Sequence, residues 1–435
     1  MENIKNFDVL VVGAGVSGLN CALHLPKELR ILVIAKGGLK ESDSFLAQGG
    51  MCVLKDKRDY KPYFEDTMRA GHYENNPDTV RCMIDHSRET AEELLALGVR
   101  FERDQSGELC YTREGAHSFP RILFHADCTG KEITSKLLAE AERRNNITIM
   151  SYTTMLDLVC SDDEKRVLGA VCRTRKGELF VVRAGKTVLA TGGVGGLFRN
   201  STNFRILTGD GLAVCLKHGV AVDHADYVQS HPTTLYSEKR GRRFLISESV
   251  RGEGAQLING EGKRFVDELL PRDAVTAAIF HQMHLERSKF VRLDLRTVEG
   301  GAATLNRHFP GIVKRCAEEG YDVFKEPVPV VPAQHYFMGG IRSDLFGRTT
   351  MKNLYAVGET CCNGVHGKNR LASNSLLESL IFAKRAAEDI SERFTADGEE
   401  IKVNFEEYRA PRALAEIYKK KVFKEINREG KFDNA

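Results

Sequence analysis

Six polar segments of this 435-residue chain carry side chains that could bind a small anion and move protons on it. They are residues 112–118, 229–233, 247–254, 271–273, 334–340 and 367–373. Among them are two imidazoles, His231 and His335, and two guanidinium groups, Arg272 and Arg370. Such groups, with hydroxyl donors around one apolar pocket, predict a site for a small dianion.

Each of these residues alone has an ordinary structural explanation. His231, which precedes Pro232, is typical of a hydrogen-bonded loop histidine, and Arg272 is typical of a surface arginine in a helix's first turn. Glu248 is typical of a salt-bridged strand residue. Only the combination of segments favours the functional interpretation.

A glycine-rich motif near the N-terminus predicts a second ligand. The apolar run 7–12 (FDVLVV) indicates a buried parallel strand, and 13–18 (GAGVSG) follows it directly, before a helical pattern at 19–25. Glycines let the backbone approach a pyrophosphate, and a helix N-terminus offers it unpaired N–H groups. The motif therefore predicts a dinucleotide site. Alternatively, the glycines only pack the strand against the helix.

Two further features bear on which dinucleotide is bound. The second strand, 30–35, is followed by Lys36, where a nicotinamide site usually has an acidic residue. This speaks against NAD without excluding it. A second strand-then-glycine pattern at 353–359, with a helix start at 373–377, favours a flavin. A long flavin cofactor needs one part of the chain for its pyrophosphate and another for its ribityl chain and ring.

Alternating strand and helix patterns up to about residue 224 predict an α/β fold with a Rossmann-like dinucleotide-binding domain. The expected helices are 77–97, ended by Gly98, and 129–144, with a further helix opened by 209–211. The expected strands are 147–150, 167–174, 179–183 and 187–193, the last ending in glycines. As an alternative to a ligand contact, Asp210 could simply be the N-cap of its helix.

The pattern is irregular from residue 227 to residue 337, and strand-then-glycine signals resume only at residue 355. We therefore expect a discontinuous FAD-binding domain at 1–224 and 338–395, and an inserted α+β capping domain at 225–337. Residues 396–435 are expected to form a short helical C-terminal tail.

Composition excludes several other classes of protein. A net charge of +3 is too small to indicate nucleic-acid binding, and no segment has the length of a membrane span. The eleven cysteines contain no C-x-x-C spacing, so neither a zinc site nor a disulfide framework is expected. The first residues lack the pattern of a secretory signal, and we expect a cytoplasmic protein.

Over residues 5–395 the chain resembles the flavoprotein family of fumarate reductase, succinate dehydrogenase and L-aspartate oxidase, and is most similar to its L-aspartate oxidase branch. The motifs that carry the resemblance are 44–50 (SFLAQGG), 112–118 (TREGAHS), 231–233 (HPT), 251–254 (RGEG), 335–336 (HY) with 339–340 (GG), and 369–376 (NRLASNSL).

The resemblance implies FAD as the cofactor and assigns most of the site. With the glycine-rich turn and Gly193, the residues expected at FAD are Gly13, Ala14, Gly15, Ser17, Gly18, Lys36, Ser44, Phe45, Leu46, Ala47, Gln48, Gly49, Gly50, Gly193, Asp210, Glu359, Ser375 and Leu376. Those expected at the substrate are Glu114, His231, Ser247, Glu248, His335 and Arg370. Arg272 is implied as the proton-transfer residue, an unusual role for a group that normally stays charged.

Two residues distinguish the branches of the family. Membrane-bound relatives attach FAD through a histidine five residues before Gln-Gly-Gly, where this chain has Asp43, so FAD is expected to bind non-covalently. A carboxylate in the pocket, Glu114, favours a substrate with an ammonium group and repels a simple dianion. Glu114 thus favours aspartate over succinate.

The implied activity is oxidation of L-aspartate to iminoaspartate, with hydride transfer to flavin N5 and reoxidation by O2 or fumarate. This is the first step of NAD biosynthesis through quinolinate, which makes quinolinate synthase a possible partner. Two alternatives remain open. One is a soluble fumarate reductase or succinate-oxidising subunit with iron–sulfur partners, and the other is a non-catalytic flavin- or dicarboxylate-binding module such as a sensor. The sequence continues for only 40 residues after residue 395, so we expect it to lack most of the longer C-terminal helical bundle of many relatives.

Overall fold

The computed structural model describes residues 4–239, 241–395, 399 and 401–428. Within these residues the strands are β1 (Ile4–Val12), β2 (Ile31–Ile34), β3 (Gly50–Cys52), β4 (Ile122–Phe124), β5 (Ile147–Met150), β6 (Thr153–Cys160), β7 (Val167–Thr174), β8 (Leu179–Leu189), β9 (Val222–Asp223), β10 (Val228–Leu235), β11 (Gln256–Ile258), β12 (Val291–Asp294), β13 (Val328–Phe337), β14 (Gly340–Arg342), β15 (Leu354–Ala356) and β16 (Cys361–Cys362).

The α-helices of the same residues are α1 (Val16–His24), α2 (Asp43–Leu46), α3 (Tyr60–Ala70), α4 (Pro77–Asp85), α5 (Ser87–Ala96), α6 (Thr129–Arg143), α7 (Asp210–Lys217), α8 (Glu248–Gly252), α9 (Arg272–Glu286), α10 (Gly301–His308), α11 (Pro310–Glu318), α12 (Asn374–Arg393) and α13 (Pro411–Ile426).

A parallel sheet in the order β5-β2-β1-β8-β15 is the centre of the molecule. Strand β7 extends it by pairing antiparallel with β8, and β6 pairs antiparallel with β7. The second half of β1 is fully apolar and fully or almost fully buried, because both faces of the sheet are covered. In register, Val12 pairs with Leu189 and Leu189 with Ala356, so the carboxyl ends of three strands meet at one edge. In such sheets ligands bind at this edge. The predicted α/β class with a Rossmann-like core is confirmed.

The predicted strands 179–183 and 187–193 form one continuous strand, β8. Its first half pairs with β7 and its second half with β15. Gly185 and Lys186 interrupt the apolar pattern between the halves, but the Lys186 ammonium donates to Asn353 Oδ1 at 2.7 Å and so remains inside the sheet. Strand β6 was not predicted at all.

The predicted helix 77–97 is interrupted at His86 and forms α4 and α5. There the Ser87 hydroxyl donates to Ile84 O at 2.6 Å, and His86 Nδ1 lies 2.8 Å from Cys82 O. These side chains compete with the helical backbone for its carbonyls. Gly98 ends the second helix with φ +85°, as expected.

Residues 225–337, expected to be irregular, contain a regular antiparallel sheet in the order β10-β13-β12-β11. This sheet has its own apolar core, which includes Val275 and Ile279 of α9 and Leu293 of β12. Helix α9 lies against β10 and so brings its first residue, Arg272, towards the histidine-bearing strands β10 and β13. The domain bounds at 225 and 337 remain a prediction.

At the C-terminal end, α13 packs along α7 and buries Tyr418, Val422 and Ile426. The Tyr418 hydroxyl donates to Leu156 O at 2.8 Å, which ties the helix to β6. The other part of the predicted tail, residues 396–398, 400 and 429–435, lies outside the described residues. Among the helices that are described, none combines the length and the apolar character that a bilayer crossing requires.

Candidate active site

One long cavity extends from the carboxyl ends of β1 and β8 to strands β10 and β13. All seven residues expected at the substrate or in proton transfer line it, together with most of those expected at FAD, namely Gly13, Ala14, Gly15, Ser17, Lys36, Ser44, Leu46, Ala47, Gln48, Gly49, Gly50, Asp210, Glu359, Ser375 and Leu376. The two predicted sites are therefore two ends of a single cavity.

Three residues expected at FAD are not among the lining residues: Gly18, Phe45 and Gly193. A Cβ at Gly18 would lie 1.9 Å from Gly13 O, so this glycine permits α1 to pack against the turn. A Cβ at Gly193 would lie 2.5 Å from Glu359 Oε1, so this glycine makes room for a carboxylate that does line the cavity. Both act through packing.

The glycine-rich turn presents backbone to the cavity. Gly13 has φ +125°, and a Cβ there would lie 2.0 Å from Ala190 O, which only glycine avoids. Gly15 is the N-cap of α1, and the cap makes no side-chain hydrogen bond to the first turn. The positive end of the α1 dipole thus borders the cavity, as a pyrophosphate requires.

Lys36 and Asp210 form an ion pair on the cavity wall. The Lys36 ammonium lies 2.6 Å from Asp210 Oδ2 and 2.6 Å from Thr208 Oγ1. Gly209, with φ +67°, is the N-cap of α7, so the alternative N-cap role of Asp210 is wrong. The basic residue after the second strand is therefore neutralised locally by Asp210.

Several buried polar atoms on the cavity wall have no hydrogen-bond partner among the described residues. They are Ser42 Oγ, Asp43 Oδ2, Gln48 Oε1, Asn203 Oδ1, His231 Nε2 and Arg370 Nε. An unsatisfied buried polar group costs about 1–3 kcal/mol. These donors and acceptors extend along the whole cavity, so the residues present fit a long, polar ligand such as FAD between the glycine turn and the start of α12.

Glu359 and Asp43 form an acidic wall in this cofactor part of the cavity. Phe337 N–H donates to Glu359 Oε1 at 3.0 Å, and Phe204 N–H donates to Asp43 Oδ1 at 2.9 Å. Burial raises the pKa of both carboxyls, and the Asp43 charge raises that of Glu359 further. Proton-bearing carboxyls can donate to a ligand as well as accept from it.

At the other end of the cavity, neighbouring strands place two imidazoles edge to face. The His231 and His335 ring centroids lie 5.1 Å apart at an interplanar angle of 77°. Thr233 N–H donates to His231 Nδ1 at 3.2 Å, which puts the proton of the neutral ring on the unpartnered Nε2. Burial, with the nearby Arg272 charge, lowers the pKa of both histidines well below the usual value. Both are neutral donors.

Arg272, the first residue of α9, is held by two side chains. Its Nε donates to Glu248 Oε2 at 2.5 Å and its Nη1 to Gln229 Oε1 at 2.9 Å. Burial acts to raise the pKa of Glu248, but the charges of Arg272 and Arg251 hold it below the usual value. Glu248 is therefore ionised and occupied by arginines.

Arg370 connects the two ends of the cavity. Its guanidinium carbon lies 4.1 Å from the centroid of the Tyr336 ring, and its Nη1 donates to Ser375 Oγ in the first turn of α12. Burial, with repulsion from Arg272, lowers the pKa of Arg370 to about 10, so it stays charged at neutral pH. Stacking on an aromatic face and a fixed fork of donors suit it to hold a carboxylate.

Glu114 is the second buried carboxylate of this end, and among the described residues its two oxygens accept hydrogen bonds from hydroxyls alone. Ser249 Oγ donates to Oε1 at 2.6 Å and Ser373 Oγ to Oε2 at 2.5 Å. Burial and the charge of Glu248 raise the pKa of Glu114, although the two hydroxyls oppose this. A carboxylate without a cationic hydrogen-bond partner borders the dianion site.

Several lining or supporting residues were not predicted. Gln229, Ser249 and Ser373 lie inside the polar segments, yet their types alone gave no reason to select them. Asn203 and Arg242 lie outside those segments, and no sequence signal distinguishes them. Their roles depend on distances that only the fold creates.

Comparisons with known proteins agree with the motif resemblance. The family model described as "FAD binding domain" matches residues 8–376. The L-aspartate oxidase of Clostridium perfringens is 48% identical over 385 residues, covering 88% of this chain and 86% of that protein. The L-aspartate oxidase of Clostridium acetobutylicum is 44% identical, with 88% of each chain covered.

Among solved structures, a chain of E. coli quinol fumarate reductase matches with a TM-score of 0.85 and 32% identity, covering 95% of this chain and 74% of that one. The predicted family and the predicted FAD cofactor are thereby confirmed. The chain belongs to the FAD binding domain family and, within it, to the L-aspartate oxidase family.

Proposed function

We propose that this protein oxidises L-aspartate to iminoaspartate with FAD. Relatives that are 44% and 48% identical bear the name L-aspartate oxidase, and the cavity combines a dinucleotide end with a dianion end. The observation that carries the substrate assignment is Glu114, a buried carboxylate held by two hydroxyls beside the arginines and histidines.

The dianion end supplies donors for two carboxylate groups. Arg370, charged and stacked on Tyr336, suits one carboxylate, and the neutral imidazoles of His231 and His335 suit the other. Holding both ends of a four-carbon diacid fixes its carbon atoms relative to the cofactor end. Such orientation can account for a large part of a rate enhancement.

Glu114 provides the selectivity for an amino acid. Since Glu248 is occupied by arginines, Glu114 is the carboxylate that remains for the ammonium group of aspartate. A ligand with two carboxylates and no ammonium would meet repulsion from Glu114 instead.

Bound FAD supplies the two-electron acceptor, which O2 or fumarate reoxidises. The residues that would hold it are the turn 13–15, the segment 44–50, Glu359 and the start of α12. Asp43 offers no imidazole, which supports non-covalent binding. Fumarate has the two carboxylates of the substrate and suits the same donors.

Arg272 is proposed to deliver the proton that fumarate needs at the carbon that receives no hydride. Its Nε and Nη1 are held by Glu248 and Gln229, which leaves Nη2 without a hydrogen bond to the described residues. A guanidinium is a weak acid, and the ionised Glu248 at 2.5 Å from its Nε favours the protonated form further, so Arg272 regains its proton readily after each transfer.

The product would pass to quinolinate synthase in the cytoplasm, for NAD biosynthesis. Free iminoaspartate hydrolyses in water to oxaloacetate and ammonia, so a neighbouring enzyme that consumes it is expected.

The test is product analysis with purified, FAD-loaded protein. L-Aspartate under air should give oxaloacetate and ammonia in equal amounts, and fumarate should replace air as the oxidant. Turnover of succinate at the rate of aspartate would instead indicate a succinate-oxidising enzyme, the second candidate, whose relatives share this fold. Binding of ligands without any turnover would indicate a sensor.

A further inference from the structure

A second cluster of titratable side chains lies away from the cavity. Cys160 ends β6, whose opposite end, Thr153 to Met155, lines the cavity. Its Sγ lies 3.6 Å from Nδ1 of His218, the residue after α7. The Nε2 of His218 lies 2.7 Å from Oδ1 of Asp157, also on β6. Thiol, imidazole and carboxylate are thus arranged in series, the order that activates cysteine nucleophiles.

The carboxylate of this series is held ionised. Asp157 is 1% exposed and accepts from Tyr408 OH at 2.9 Å, from Leu158 N–H at 2.9 Å and from the Lys217 ammonium, besides His218. Burial acts to raise the pKa of Asp157, but His218 and Lys217 hold it below the usual value.

The imidazole is held protonated. The hydrogen bond to Asp157, and then the contact with Cys160, raises the pKa of His218 to about 9. A protonated ring donates from both nitrogens, so Nδ1 offers its proton to the sulfur. A thiol next to an imidazolium gives up its proton more readily than a free thiol.

We infer that Cys160 is a reactive thiol, positioned by its contact with His218, and that hydrogen peroxide oxidises it to a sulfenic acid. The sulfur attacks one peroxide oxygen and the O–O bond breaks. The departing hydroxide takes the Nδ1 proton of His218 and leaves as water, and the thiol proton of Cys160 passes to His218 in its place. Sulfur loses two electrons and peroxide gains two. Peroxide is also formed when O2 takes two electrons, but the inference does not depend on that source.

The other cysteines with a partly exposed thiol lack this arrangement. Cys82 is the nearest parallel, since its Sγ lies 3.9 Å from Nδ1 of His86. That nitrogen, however, also lies 2.8 Å from Cys82 O, and burial raises the pKa of Cys82. No hydrogen bond or ion pair of the described residues joins His86 to a carboxylate. Cys82 and His86 therefore form a matched control within the chain.

The test exposes the full-length, FAD-loaded protein to one equivalent of hydrogen peroxide with dimedone, which traps sulfenic acids. Mass spectrometry then gives the label on each cysteine. We expect Cys160 to carry at least about ten times the label of Cys82, because thiolate character controls the reaction. The His218→Gln variant should lose most of the Cys160 label, whereas His86→Gln should leave the Cys82 label unchanged.

A Cys160 label no higher than that of Cys82 would overturn the inference, and so would an unchanged label in His218→Gln. The comparison among cysteines of the unaltered protein needs no variant, so it decides the question even where His218→Gln folds poorly.

Discussion

At the residue scale, two buried carboxylates of one cavity have opposite environments. Glu248 is bound by Arg272 and lies 3.5 Å from Arg251, which hold its pKa low. Glu114 has only hydroxyl donors, and its pKa is raised. Neighbouring titratable groups whose pKa values are driven apart usually have different roles. Glu248 holds the Arg272 guanidinium, and Glu114 remains available to bind the ammonium group of the substrate.

Replacing Glu114 by Gln should therefore weaken the binding of L-aspartate far more than the binding of fumarate. The change keeps the shape of the side chain but removes the partner of the ammonium group, a loss of about 2–5 kcal/mol for a buried charge pair. The measurement is the dissociation constant of each ligand from flavin absorbance changes in the absence of turnover.

The matched control for this variant is Ser249→Ala, which removes one hydroxyl from Glu114 but leaves the charge. It should also raise the dissociation constant of L-aspartate relative to that of fumarate, but by a smaller factor than Glu114→Gln does. Equal losses for aspartate and fumarate in Glu114→Gln would remove Glu114 from the recognition of the amine.

Replacing Arg272 by Leu should abolish turnover with fumarate while FAD and dicarboxylates still bind. General acid catalysis contributes about 10²–10⁴-fold, and among the described residues no other guanidinium contacts both Glu248 and Gln229. Stopped-flow reoxidation of the reduced enzyme by fumarate measures the effect.

The Arg272→Leu variant also leaves the buried Glu248 without one of its cationic partners, which destabilises the folded protein. A thermal melt must therefore accompany the kinetics. Arg296→Leu is a suitable control, because it breaks an arginine–carboxylate pair with Asp294 elsewhere in the same sheet region. Fumarate turnover close to that of the control would exclude Arg272 from proton transfer.

Residue types predicted that these side chains would surround one pocket, and they do line one cavity, while their roles there remain a prediction. The supporting hydroxyls were not predictable, since a serine has no preferred function. Ser249 and Ser373 approach Glu114 from positions 135 and 259 residues away in the sequence. Only the fold brings these three side chains together.

At the element scale, the first strand, turn and helix form as their pattern predicted, and the turn lines the cavity proposed to hold the cofactor. Two glycines of the turn have different structural roles. Gly13 needs its positive φ and has no room for a Cβ, whereas Gly15 has φ −78° and its Cβ would meet Ser44 Oγ at 3.2 Å and Ser42 Cβ at 3.7 Å. Gly13 is needed for the fold, and Gly15 for the ligand.

The Gly15→Ala variant should fold normally yet bind FAD much more weakly, because the added methyl occupies the approach to the pyrophosphate. Gly13→Ala should instead lower the melting temperature of the protein even without FAD. Fluorescence titration with FAD and thermal melts of the FAD-free proteins separate the two effects. Full FAD affinity in Gly15→Ala would mean that the pyrophosphate lies elsewhere.

Element boundaries were less predictable than element types. Gly185 and Lys186 are residue types that predict the end of a strand. Strand β8 nevertheless continues through them, because it pairs with β15 and because Lys186 donates a hydrogen bond to Asn353. The pattern of residues 225–337 is irregular because β10 and β13 carry polar side chains, such as His231 and His335, where they border the cavity. Tertiary pairing overrode the local pattern in both places.

At the scale of the whole molecule, one cavity collects residues from both ends of the chain. Segments near residues 13–15 and 370–376 meet along it, and strands β10 and β13 form its other end. A ligand that contacts all of them stabilises the folded chain by mass action, by about 2.7 kcal/mol at a concentration one hundred times its dissociation constant.

FAD should therefore be removable, and its removal should lower the melting temperature. The motif resemblance implies that Asp43 takes the position at which membrane-bound relatives attach the flavin, so we expect acid precipitation to release the yellow colour into the supernatant. Added FAD should then restore the melting temperature of gently prepared apoprotein. Colour that stays in the pellet would show a covalent bond and contradict the proposed role of this position.

The central claim is that the buried dicarboxylate site selects an amine-bearing substrate, and anaerobic bleaching of the bound flavin tests it most directly. L-Aspartate should bleach the flavin absorbance rapidly and completely, and succinate at the same concentration should leave it almost unchanged. Bleaching by succinate as fast as by aspartate, or no bleaching by aspartate, would contradict the claim.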